Sequence, residues 1–346
     1  MTVFLLDRRS RGPAMLAAVS LGTAMVLSSF AATQRAAAQD YPAKPITVII
    51  PFGPGGHSDL VTRPLTTVSQ KYLGQPLVVK MMPGGQGIIG TEAAAKSPAD
   101  GYTLLAAGAG WNSALPALEG RSKGPDDLEP VALIGKGSTL MTVRTESPHK
   151  SLKDIVAFAK ANPGKLTIGI GGPFTTSETF WRWMTKVHGL NVRLVKFGGG
   201  SQMMLAGLGG HVDVFGGSPL SVSEHFRAGK LRPLAYYGSQ RHPEYKAVPT
   251  AKEEGLEIVL EIWNGFVAPK GTPRVAIDRF AAALAKMLED PIVKETMAKH
   301  GEQVTFMGPD EFAKFWRKDF DFFRSMKDAY ALKGVLHDAP QAAPKN

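Results

Sequence analysis

The chain has 346 residues, 44% of them apolar and 20% charged, with a formal net charge of +10, which is the composition of a soluble globular protein. That length exceeds the size at which one hydrophobic core stops growing, so two domains are expected. The absence of cysteine excludes a disulfide framework and thiol chemistry, and no Lys/Arg tract with interleaved aromatics points to nucleic acid.

The N-terminus carries Arg8, Arg9 and Arg11, then the uncharged stretch AMLAAVSLGTAMVLSSFAATQ, then Ala36-Ala37-Ala38. These are the three regions of a secretory signal, and cleavage is expected after Ala38. A retained membrane anchor is the alternative, since the stretch nearly spans a bilayer. Its Ser, Gly, Thr and Gln content and the Ala-x-Ala ending favour a cleaved signal peptide at 1–38. Arg8-Arg9 leaves both the general secretory and the twin-arginine routes open. Removing residues 1–38 leaves 36 basic and 29 acidic side chains, a net +7 that suits an anionic partner without specifying one.

From Tyr41 onward, short apolar runs alternate with helical patterns, the signature of an α/β protein with largely parallel sheets. ITVII, PLVVK, YTLLAA, PVALIG, KLTIGI, VRLVKF, HVDVFG and LRPLAYYG read as strands. Ser151 and Asp154 form a capping box for a helix that Asn162-Pro163-Gly164 stops. Asp59 reads as the cap of a helix beginning LVTRPL, where Pro64 implies a late start or a kink. Thr272-Pro273 precedes a helix with Ile277, Phe280, Ala281, Leu284, Met287 and Leu288 on one face. Phe312, Phe315, Trp316, Phe323 and Met326 form an aromatic stripe at helical spacing, read as a packing face. The Pro/Ala-rich tail APQAAPKN is expected to fray.

Four strands empty into glycine and small polar residues: Phe52 to Asp59, Gly108 to Ser113, Gly169 to Glu178 and Gly198 to Gln202. At the carboxyl ends of strands in an open sheet such loops meet ligands, and helix N-termini there offer free N–H groups to an anion. Each loop alone also reads as an ordinary strand-to-helix turn with a capping residue. Four together point to an anion site, with Thr175, Thr176, Ser177 and Ser201 adding hydroxyl donors.

Gly85-Gln86-Gly87-Ile88-Ile89-Gly90 fits G-x-G-x-x-G, yet the strand after it ends without the acid that would meet a ribose. No nucleotide or other cofactor is expected. The chain lacks G-x-S-x-G, G-x-x-x-x-G-K-[ST] and H-E-x-x-H. His57 with Asp59 and His211 with Asp213 are H-x-D pairs without a further cluster, so no metal is expected.

YPAKPITVIIPFGPGGHSDLVTR, LGQPLVVKMMPGGQGIIGTEAAAKSPADGYTLL and WNGFVAPKGTPR resemble the tripartite tricarboxylate transporter substrate-binding proteins, or Bug receptors, in collinear order from Tyr41 to Gly334. The resemblance implies a periplasmic binding protein-like fold of type II, with two α/β lobes, a ligand cleft and two hinge crossovers. One lobe would comprise 41–144 and 262–346, the other 145–261. It further implies a monomeric receptor, not an enzyme, that closes on a small organic carboxylate and delivers it to two integral membrane subunits.

Carried over by position, the first wall is Phe52, Gly53, Pro54, Gly55, Gly56, His57, Ser58 and Asp59, with Gly108, Ala109, Gly110, Trp111 and Asn112 nearby. The facing wall is Gly171, Gly172, Thr175, Thr176, Ser177, Gly199, Gly200, Ser201 and Ser218. Where relatives read VPYKG this chain reads Leu194-Val195-Lys196-Phe197-Gly198, and Trp111-Asn112 stands where relatives often carry Thr-His. Trp111, His57 and Phe197 would make the cleft aromatic and favour a ligand with a ring or flat face beside its carboxylate. The alternative is that Trp111 packs between loop and lobe. Two other functions stay open: a sensor component presenting the ligand to a membrane kinase, and an exported hydrolase using His57 and Asp59.

Overall fold

The computed structural model describes residues 41–346 except Gly55, Gly56, Pro173, Gly198, Gly199, 300–302, 332–335 and 339–346. The signal peptide with its cleavage point, the fraying tail and the site positions Gly55, Gly56 and Gly199 thus lie outside the described residues.

The strands are β1 (Ile46–Ile50), β2 (Leu77–Met81), β3 (Thr103–Gly108), β4 (Leu128–Gly137), β5 (Leu140–Arg144), β6 (Thr167–Ile170), β7 (Arg193–Lys196), β8 (Phe215–Gly217), β9 (Leu231–Tyr236), β10 (Ile262–Pro269), β11 (Val304–Met307) and β12 (Leu336–Asp338). One six-stranded sheet runs β2-β1-β3-β10-β4-β11. In it β1 pairs parallel with β2 and β3, whereas β10 is antiparallel to both β3 and β4, and β11 is antiparallel to β4. A second unit holds a parallel sheet, β12-β7-β6, and an antiparallel one, β8-β5-β9, joined by the bridge Ile168–Val214.

The sheets are therefore mixed rather than largely parallel. The chain leaves the first sheet after β4, builds the second unit, and returns as β10, which inserts between β3 and β4 in the opposite sense. Apolar-run reading found neither β5, β10 nor β11, and HVDVFG shortens to the three residues of β8. β5, inside the expected first lobe, hydrogen-bonds to β8 and β9 of the second unit. The chain passes between the units at Ser138–Thr139 and again between Tyr236 and Ile262. It passes a third time after the helix Pro309–Ser325: Lys186 Nζ donates to Ser325 O, Arg182 Nη1 donates to Ala329 O, and β12 pairs with β7.

The helical expectations rest on local chemistry and appear as local structure. Ser151 Oγ accepts from Asp154 N while the Asp154 carboxylate accepts from Ser151 N, capping Leu152–Ala161 on both counts. The helix Arg274–Glu289 buries Ile277, Phe280, Leu284 and Met287 against Val48, Ile50 and Phe266 on one face of the first sheet. Phe312 and Trp316 cover the other face with Ile49, Leu105, Leu133 and Trp263. Of the late start or kink expected at Pro64, the late start does not occur: the helix begins at His57 and runs through that proline to Leu73. The second unit packs Ile168, Leu194 and Trp181 in one cluster and Leu140, Phe215 and Tyr236 in another.

Candidate ligand-binding cleft

The aromatic wall is built on glycines. After β3 the chain makes one wide helical turn, Gly110–Ala114, which folds Trp111 back over the strand it has just left. A Cβ at Gly108 would overlap the Trp111 ring, and one at Gly87 would stand 3.2 Å from Trp111 Cβ and 3.3 Å from Phe52 Cζ. Trp111 Nε1 donates to Ala106 O at 3.3 Å, and its ring meets Phe52 edge to face, centroids 4.8 Å apart at 77°. The G-x-G-x-x-G stretch is the footing of this wall. Gly87 adopts φ +93° beneath the two rings, and Gly90 lies where a Cβ would come within 2.8 Å of Pro51 Cα. Trp111 thus packs and lines at once.

A cavity of about 560 Å³ opens in front of the pair. Phe52, Gly53, Pro54, His57, Ser58, Ala109, Gly110 and Trp111 line it, joined by Ile262, Trp263 and Asn264 of β10. The three β10 residues were not foreseen as site residues. The only trace of Trp263 and Asn264 in the sequence was the stretch WNGFVAPKGTPR, which carries no site chemistry of its own, and Ile262 had none. Asn264, 7% exposed, donates through Nδ2 to His57 Nε2 at 2.7 Å, which places the imidazole proton on Nδ1.

A smaller chamber of about 70 Å³ adjoins it across His57, Ile262 and Asn264. Gln303 adds to its first-unit side, Ser218, Pro219, Tyr236 and His242 close it from the second unit, and Gly137 and Ser138 belong to the crossover between them. A third cavity of about 350 Å³ lies along the crossovers, where Thr176 of the second unit meets Ala109. In its wall, burial pushes the Asp319 carboxyl up to about 6, against the lowering effect of the hydrogen bond from Trp263 Nε1 (2.8 Å).

The remaining positions carried over from the resemblance take the following places in the fold. Asp59 is buried in the first turn of its helix and pairs with Arg63 Nε at 2.6 Å. Gly108 makes room for Trp111. Asn112 is fully buried: Oδ1 accepts from Gly108 N, Nδ2 donates to Lys123 O, and its carbonyl accepts from Trp316 Nε1. Thr175 caps the helix Thr176–His188 by accepting from Glu178 N. Thr176 Oγ1 is hydrogen-bonded to Thr139 Oγ1. Ser177 is hydrogen-bonded to the buried Tyr237 hydroxyl, whose pKa burial raises. Gly200 and Ser201 open the helix Gly200–Leu208 in solvent. Gly171, Gly172, Thr175, Ser177, Gly200 and Ser201 line none of the three cavities. Ser218, which caps the helix Pro219–Arg227, shares the small chamber with His57.

Residues 61–326 match the family model described as "Tripartite tricarboxylate transporter family receptor". The chain belongs to this family. Among similar proteins, BugT of Bordetella pertussis is 33% identical over 286 residues, covering 80% of this chain and 86% of BugT. The ligand-free TctC solute-binding protein from Polaromonas superposes with a TM-score of 0.76 at 26% identity, over 83% of this chain and 99% of that one. MatC from Rhodopseudomonas palustris, solved with bound malate, gives 0.67 at 26% identity, over 83% and 100%. The tripartite tricarboxylate transporter receptors are periplasmic solute-binding proteins, and the two-lobed mixed α/β architecture here is theirs. Among the described residues no group of three or more His, Asp or Glu could hold a metal ion.

Proposed function

We propose that this receptor, exported and cleaved after Ala38, captures a small organic carboxylate with a flat or aromatic body and passes it to two integral membrane subunits without chemical turnover. It acts as a monomer. The lobes are 41–137 with 262–326 and 140–261 with 327–338, and they close by hinge motion at the crossovers around 138, 237–261 and 326. Phe52 to Pro54, His57, Ser58, Gly110 and Trp111 supply one wall together with Ile262 and Asn264, and Ser218 faces them.

The observation that carries this reading is the aromatic cavity of about 560 Å³ joined to a polar chamber that both lobes line. A site shared by two lobes rewards closure, since a ligand then contacts both at once. The malate bound to MatC supports a carboxylate as the guest.

The test is a thermal-shift screen of residues 39–346 against aliphatic and aromatic carboxylates and their uncharged amides. A ligand at a hundred times its dissociation constant adds about 2.7 kcal/mol to native stability. Carboxylates are expected to raise the melting temperature and the amides to leave it unchanged; shifts from amides alone would sink the reading.

A further inference from the structure

Three donors of the small chamber have no acceptor among the described residues. Tyr236 is 3% exposed; its phenol oxygen accepts from Ser138 N at 2.8 Å, and its own proton finds no acceptor among the described residues. His242, 7% exposed, accepts from Glu244 N on Nδ1 at 3.2 Å. In the neutral ring the proton therefore sits on Nε2, and the described residues offer that nitrogen no acceptor either. Burial lowers the His242 pKa, so the ring stays neutral near pH 7. Gln303 Nε2 is fully buried and has no partner among the described residues. An unpaired buried donor is costly, and native proteins rarely leave several in one place.

Two helices add to the same polarity. His57 opens His57–Leu73 from one unit and Ser218 caps Pro219–Arg227 from the other, and both residues line the chamber. Their N-termini bring partial positive charge to it. No formally charged side chain lines it among the described residues.

We propose that this chamber is the anion subsite of the cleft: carboxylate oxygens accept from Tyr236, His242 and Gln303, and the ligand's body lies against Phe52 and Trp111 next door. The assignment rests on the carboxylate-receptor reading and deepens it. It moves the charge away from Thr175 to Ser177 and Gly199 to Ser201, where the family resemblance placed it. Size then sets the ligand class. A chamber of about 70 Å³ admits a carboxylate or a few waters but no ring, while the neighbouring 560 Å³ admits a ring and is walled by aromatics. The ligand is a carboxylate charged at one end with an apolar body.

Titration calorimetry of residues 39–346 with benzoate, phenylacetate, malate and adipate, repeated on Gln303→Leu and Tyr236→Phe with the tightest binder, tests this. Benzoate or phenylacetate is expected to bind best, and each variant to weaken it at least tenfold. Ligand-free Gln303→Leu is expected to melt no lower than wild type, because the substitution removes an unpaired donor. Affinity kept within twofold in both variants overturns the subsite and leaves the receptor reading standing, the donors then holding water. Malate or adipate as the tightest binder overturns the apolar-body assignment. If none of the four binds wild type, the carboxylate reading falls and the subsite with it.

Discussion

Asn264 Nδ2 lies 2.7 Å from His57 Nε2, so a residue of β10 orients a side chain 207 positions earlier in the chain. That contact stands at the border of the aromatic cavity and the polar chamber, since both residues line both. β10 reaches His57 because it runs antiparallel between β3 and β4, with Asn264 opposite Gly108 and Gly135. The hydrogen bond holds His57 in one tautomer, which fixes where its remaining proton points.

Replacing Asn264 by Leu removes the amide donor from His57 Nε2. Carboxylate affinity is expected to fall by about 0.5 to 1.5 kcal/mol, the net worth of a hydrogen bond. Calorimetry reads this directly. An unchanged dissociation constant would mean that the orientation of His57 is irrelevant to capture.

At Gly108 the constraint is steric. An alanine there must displace the Trp111 indole, whose ring occupies the space of the missing side chain. Overpacking of this kind costs about 1 to 3 kcal/mol. Gly108→Ala is expected to lower the denaturation midpoint, shift the tryptophan emission and weaken binding of ring-bearing carboxylates most. Retention of all three wild-type values would show that the indole has another place to go.

Asp319 makes stability depend on pH in an identifiable direction. Its folded pKa, pushed up to about 6 from the ordinary 3.8, exceeds the unfolded value, so the folded state holds the proton longer. Stability from this group is highest below about pH 4 and declines as pH rises through about 6, where the folded carboxyl must ionise. Asp319→Asn keeps an acceptor for Trp263 Nε1 and deletes the ionisation. The variant is expected to be more stable than wild type by about 1 to 3 kcal/mol at pH 8 and equal to it at pH 4. Urea titrations at the two pH values decide; equal stabilities at pH 8 contradict the shifted carboxyl.

Glu178 and Arg182 form a buried pair, Oε1 to Nε at 2.8 Å, with each side chain 5% exposed. Glu178 also accepts from Phe174 N, whose residue stands at φ +57°, and Arg182 donates to Ala329 O on the third passage between the units. Arg182→Ala leaves a carboxylate buried without its partner, expected to cost about 3 to 5 kcal/mol. The C-terminal segment should become more susceptible to proteolysis in the same variant. A loss below about 1 kcal/mol would refute the pair's structural role.

Much of the chain's architecture could be read without coordinates, and the reason is locality. The capping box at Ser151 and Asp154, the stripe from Ile277 to Leu288 and the aromatic face of Phe312 and Trp316 depend on residues three or four apart, and each forms as its spacing dictates. The glycine-rich exits after β1 and β3 were equally legible, and they do carry Phe52, His57 and Trp111 to one cavity. What the sequence determined alone was therefore the family, the capped and striped helices and eight of the strands, whereas Phe197, expected in the aromatic wall, packs with Val195 and Met203 instead.

The tertiary structure decided which of the polar loops share a space. Thr175 and Ser177 look like ligand donors in one dimension, but Thr175 caps a helix and neither residue lines the cavity or the chamber that His57 borders. Tyr236, His242, Asn264 and Gln303 have no local signature and meet only because β10 threads between two older strands and the second unit folds over β4. Hydrogen-bonding capacity left unspent by the fold is a property of three-dimensional packing, since whether a donor is satisfied depends on neighbours tens to hundreds of residues away.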